Sequence, residues 1–169
     1  SIIISREITV GGNLTLLANA PQSDGVIAAD RETGAAVIDT SGAILNVGGT
    51  FTGTIGTGDG RTENASGNIS LGNITAGAVN LANLGLTTGT AIALTGNIST
   101  AGNQTYDGAL KINGADVTLA TGHGGKIDWK QESTSSISAG TAGNKITFSE
   151  DGVTTRIGVL DTADAARLA

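Results

Sequence analysis

Five segments of the chain place a glycine-asparagine corner directly before a short alternating strand: GNLTL from Gly12, GNISL from Gly67, GNIT from Gly72, GNIST from Gly96 and GNKITF from Gly143. GGTFT from Gly48 and GGKIDW from Gly124 are looser versions. A chain that stops and restarts this often cannot build long helices, because glycine and asparagine interrupt the 3.6-residue period and leave a period of two. The corners recur at irregular separations, whereas a propeller or a leucine-rich array would hold a fixed repeat length. Degenerate corners with variable loops predict a right-handed parallel β-helix, with three short strands in each coil. Only inward side chains are constrained in such a fold, and successive coils lie about 4.8 Å apart.

The composition agrees with that layout. Gly 27 against Pro 1 excludes collagen and proline-rich linkers and leaves the backbone donors of interior strands intact. Hydrophobic residues make up 38% but aromatics only 2%, so Ile, Leu, Val and Ala must fill the interior, with Phe51, Trp129 and Phe148 as the large pieces. The net charge of -6 argues against a nucleic-acid surface and against docking on an anionic membrane, since both need clustered Lys and Arg. Without cysteine there are no disulfides and no thiolate metal sites. No apolar run approaches the roughly 18 residues of a membrane span. The start on Ser1-Ile2-Ile3-Ile4, already strand-like, is that of a mature or excised piece of something longer.

Candidate strands are Ile2–Ile4, Glu7–Val10, Asn13–Leu17, Ala35–Asp39, Ala43–Val47, Thr50–Ile55, Asn68–Leu71 and Ala78–Leu81, then Ala91–Thr95, Ala109–Ile112, Asp116–Ala120, Lys126–Trp129, Lys145–Ser149 and Thr154–Val159. Gly53 to Glu63 reads as an extended surface loop. Residues 1–160 form one β-helix segment, and 161–169 a short tail, helical over Asp161–Leu168 or disordered. The competing fold is an antiparallel β-sandwich. In that reading Asn113-Gly114, within LKINGADVTL, is the type I′ turn of a hairpin.

The run GNQTYDGALKINGADVTLATGHGGKIDW, from Gly102 to Trp129, resembles the shaft repeats of filamentous haemagglutinin-like exoproteins, the secreted partners of two-partner secretion systems. The matching phrases are Gly102, Asn103, Gln104, Thr105, Tyr106, Gly108 and Leu110, then Asp116 to Leu119. SGAILNVGGTFT and GNKITFSEDG are similar to other coils of that style. The resemblance implies a right-handed parallel β-helix in a secreted or bacterial cell-surface protein whose parent passes through an outer-membrane transporter. The asparagine-proline secretion motifs of the family are missing, which implies a piece of the shaft.

Chemistry is sparsely written. His123 is the single histidine, in a glycine turn, with no second His or Cys to complete a metal cluster, and an exposed turn residue is the simpler reading. Asp128, Trp129 and Glu132 form a candidate glycan contact, an aromatic beside carboxylates, set against plain solvated charges. Asn13, Asn64, Asn68, Asn73, Asn97 and Asn103 each begin N-x-S/T and are candidate glycosylation sites. The competing account is that corner asparagines followed by strand Ser or Thr create sequons by composition. GTGDGR, from Gly56, is similar to a calcium-binding repeat but stands alone, since those repeats work in tandem. No cofactor is expected.

The expectation is a non-enzymatic rigid rod of a large secreted adhesin, touching host-cell or matrix carbohydrate or protein. A self-assembling filament joined through coil ends and a polysaccharide-active β-helix enzyme are the alternatives. The enzyme would need acidic and basic residues converging on one groove.

Overall fold

The computed structural model describes residues 1–19, 35–56, 66–85, 89–130, 137–141, 143–150 and 153–157. The described residues are all-β and belong to one curled sheet in which every pairing but one is parallel. The predicted tail helix at Asp161–Leu168 lies outside the described residues, as does Glu132.

The strands are β1 (Ile2–Ile3), β2 (Ile8–Val10), β3 (Leu14–Ala18), β4 (Ala36–Ile55) and β5 (Ser66–Asn83). Then come β6 (Ile92–Leu94), β7 (Ile98–Thr100), β8 (Gln104–Asp107), β9 (Leu110–Ile112), β10 (Val117–Thr121), β11 (Ile127–Lys130), β12 (Ile137–Ala139), β13 (Ile146–Glu150) and β14 (Val153–Ile157). Extended backbone runs on through the corners of β4 and β5, where register shifts between Thr40/Ile44 and Val47/Thr50 mark the bends.

Register sorts these strands into three ladders. The first runs Ile2, Ile38, Ile69, Ile92, Leu110, Ile137. The second runs Ile8, Leu45, Ile74, Ile98, Leu119, Phe148. The third runs Leu14, Phe51, Val79, Gln104, Ile127. Each tier of the chain therefore contributes one strand to each ladder, in order, before the next tier begins above it. Strand side chains alternate, so in β10 Val117, Leu119 and Thr121 are buried while Thr118 and Ala120 are only half-buried.

Inward side chains from all three ladders meet in one hydrophobic cluster, in which Ile38, Leu45, Phe51, Ile69, Leu71, Val79, Ile92, Leu94 and Ile98 are fully buried. The expected aliphatic filling is present, but the large pieces are redistributed. Phe51 and Tyr106 are fully buried, whereas Trp129 and Phe148 only flank the cluster.

The Asn113-Gly114 hairpin is not formed. Leu110–Ile112 lies parallel between β6 and β12, and Val117–Thr121 lies parallel between β7 and β13. A type I′ turn needs positive φ at both central residues. Gly114 has φ 108, but Asn19 is the one non-glycine residue with positive φ among those described. The Asn113 N–H instead donates to the Leu94 carbonyl at 2.8 Å, which carries the parallel ladder on toward the corner. The one antiparallel pairing is β13 with β14, with Glu150 opposite Val153. Residues 151 and 152 stand between them, and Asp151-Gly152 is a pair that two-residue hairpins favour. Gly53 to Ile55, expected in a loop, ends β4 instead, paired with Leu81 to Asn83.

Candidate functional site

The corner asparagines share one geometry. Asn13 Oδ1 accepts the N–H of Thr50 at 2.8 Å, Asn68 that of Ala91 at 2.9 Å and Asn73 that of Asn97 at 2.9 Å. Asn97 accepts from Thr118 at 2.8 Å, Asn103 from Lys126 at 3.0 Å, and Asp116 from Lys145 at 2.9 Å. In every case the acceptor immediately precedes an inward strand residue, and the donor is its counterpart one tier above. The backbone leaves the ladder at a corner, so the N–H there loses its carbonyl partner, and a short side-chain oxygen replaces it. Asn73 to Asn97 to Thr118 forms two consecutive steps of one relay.

This geometry gives the asparagine of each described sequon a structural task that is independent of any attached sugar. Asn13, Asn73, Asn97 and Asn103 are exposed, and Asn68 is half-buried. Asn64 lies outside the described residues. Replacing Asn97 by Ala strands the Thr118 N–H, and the expected loss is about 1–2 kcal/mol. Asn97→Asp keeps the acceptor, as Asp116 does naturally, and should lose less than half as much by urea titration.

Asp128 and Trp129 alternate along β11, Asp128 exposed and Trp129 half-buried against the core cluster. The Trp129 indole N–H donates to the Gly108 carbonyl at 2.8 Å. The two side chains therefore stand on opposite faces of the strand and are not brought together. Lys130 on the outward row approaches Asp107 at 3.5 Å, an exposed pair worth well under about 1 kcal/mol. His123 is exposed in its turn. Among the described residues no group of three or more His, Asp or Glu is placed to hold a metal. No helix of the described residues is long and apolar enough to cross a membrane.

Sequence reasoning missed a polar cluster inside the column. Gln104 and Tyr106 occupy inward positions of β8 and are fully buried. Gln104 Nε2 donates to the Ala120 carbonyl at 2.7 Å and to Thr100 Oγ1 at 3.2 Å. Its Oε1 accepts the Tyr106 hydroxyl at 2.7 Å, and the Thr100 hydroxyl donates to the Gly102 carbonyl at 2.6 Å. A buried amide without partners would be costly, and this set closes on itself. The signal lay in GNQTYDG, where Gln and Tyr are separated by one residue and so share a face.

Burial away from water holds the Tyr106 phenol well above its usual range. The unfolded chain releases that proton near pH 10 while the folded chain keeps it. The stability contribution is thus complete below about pH 10 and is lost as pH rises beyond it, by up to about 1.4 kcal/mol per unit. Tyr106 is the only tyrosine, so phenolate absorbance should stay flat above pH 10 until unfolding and then rise in one step. Gradual titration at an ordinary phenol pKa would contradict the buried cluster.

No family model, no curated protein and no solved structure matches the chain. The class defined by the geometry is that of an all-β chain built as a curled, parallel-stranded sheet around an aliphatic interior.

Proposed function

We propose that the tiers are coils of a right-handed parallel β-helix, and that the chain is a rigid shaft segment of a large secreted bacterial surface adhesin. The observation that carries this reading is the three parallel ladders converging on one aliphatic interior. Backbone hydrogen bonds running along a column resist bending and stretching together, a mechanical property rather than a catalytic one. The GNQTYDG and DVTL phrases, which resemble filamentous haemagglutinin-like shaft repeats, now have a physical sense: a plugged interior and a relayed corner. Secretion through an outer-membrane transporter, a cell-surface location and contact with host or matrix carbohydrate or protein follow from that resemblance.

Small-angle X-ray scattering of the monomer tests the rod. The expected result is an elongated particle whose cross-sectional radius is constant along its axis. A globular pair-distance distribution would remove the shaft reading. In the parent adhesin, deleting whole coils should shorten the projection while leaving distal binding intact.

A further inference from the structure

The two ends of the column differ. At the far end β14 covers β13 as an antiparallel strand, and the Glu150 carboxylate accepts the N–H of Ile127, standing in for the carbonyl of a further strand. At the near end β1, β2 and β3 pair only with β4. Ile2, Ile8 and Leu14 are half-buried there, whereas their ladder partners Ile38, Leu45 and Phe51 are fully buried. Ile3, 71% exposed, and Leu17, 51% exposed, flank the same rim.

We infer that the edge formed by β1, β2 and β3 is a docking edge for one further coil of parallel strands, supplied by β-helical polypeptide other than a second copy of this chain. The inference rests on the coil reading above. The corner relay has a fixed polarity, because the side-chain oxygen of one tier always receives the N–H of the tier above it. Glu7 and Asn13 hold the positions in the first tier whose N–H groups point to a tier beneath. A fitting coil therefore carries Asn or Asp just before its second and third strands, with aliphatic residues inward. A second copy offers no such surface. Its last tier has Lys145 and Lys126 at the acceptor positions, and an ammonium group can only donate. Its second ladder is also closed by β14.

Spacing defines the fitting coil more closely. Ile2, Ile8 and Leu14 are six residues apart, as are Ile92, Ile98 and Gln104, whereas Ile69, Ile74 and Val79 are five apart. Residues 91–108 placed directly before Ser1 put Asn97 beneath Glu7 and Asn103 beneath Asn13. In that fusion Ile2 follows Gly108 by two residues, as Leu110 does naturally.

The experiment compares the chain with this extended form and with an extended form whose added copies of Asn97 and Asn103 are replaced by Lys. The expected result is a melting midpoint raised by about 5 °C in the extended chain, with most of that gain lost in the Lys form. An extended chain that melts at or below the parent, with an added segment cleaved as fast as unfolded peptide, overturns the inference. The unextended chain should sediment as a monomer at about 100 μM, and a concentration-dependent dimer would overturn the choice of occupant. Amide protection of Ile98 and Leu119 in the parent reports separately on the coils themselves, so a failed edge and a failed coil reading are distinguishable.

Discussion

Gly72→Ala should lower the melting midpoint by about 10 °C, a loss of about 3 kcal/mol for a chain of this size. Gly72 is buried at the corner between the first and second ladders. A Cβ built there would lie 2.5 Å from the Ala43 carbonyl oxygen, 2.8 Å from that of Thr40 and 3.0 Å from that of Ser41. All three are backbone atoms of the tier below, fixed by the ladders, so a methyl group can enter only by separating two tiers. One tier up, a Cβ on Gly96 would meet the Asn73 nitrogen and the Gly72 carbonyl carbon, each at 2.6 Å. The corner is thus a stack of residues with no room for side chains. Gly12 supplies the contrast, because a Cβ there meets nothing within 4 Å. Gly12→Ala should leave stability unchanged or raise it by about 0.5 kcal/mol through the unfolded chain's lost freedom. Equal losses at both positions would mean that the tiers are not in contact at the corners.

Phe51→Ala is expected to cost about 3–5 kcal/mol, the largest loss from any single core truncation in this chain. The ring sits fully buried between Leu14 below and Val79 above. Two residues on, Gly53 faces the same interior, and a Cβ on it would come within 3.0 Å of Leu81 and 3.5 Å of the Phe51 ring tip. The row Leu16, Gly53, Leu81, Tyr106, Trp129 thus omits a side chain where the neighbouring row supplies a ring. Removing the ring leaves a cavity that ladder-bound backbone cannot collapse to fill. Urea unfolding should show a lower midpoint with an unchanged slope, because the surface exposed on unfolding stays nearly the same. Phe51→Leu should recover about half of the loss. A loss below about 1 kcal/mol for the alanine variant would place Phe51 outside the core.

Much of the architecture was legible because inward positions repeat the same aliphatic chemistry at a period of two. The corner glycines announced the bends, and the scarcity of proline fitted a sheet with few free edges. Where inward residues were polar the pattern failed. Gln104–Asp107 reads as a polar loop until Gln104 and Tyr106 are seen to bond one another, and Ile137–Ala139 is too short to show alternation. Asn113-Gly114 misleads for a definite reason: its local preference for a hairpin yields to two parallel neighbours that each half of the segment gains by not folding back. The hairpin that does form follows Glu150, where no further tier competes for β13.

The site was less legible than the fold. Glycine-asparagine corners were visible, yet the partner of each asparagine oxygen lies 21 to 37 residues away and depends on the register between tiers. Trp129 beside Asp128 suggested one surface, but strand alternation separates them. The sequon pattern and the corner relay use the same asparagines, so the motif alone does not distinguish a sugar acceptor from a backbone cap.

Interstrand nuclear Overhauser contacts in the isotope-labelled protein test the central claim most directly. Parallel tiers predict sequential chains of contacts from Ile74 to Ile98 to Leu119 to Phe148, with none across Asn113-Gly114. Close Hα–Hα contacts joining Lys111 to Asp116, the signature of an antiparallel hairpin, would contradict the account.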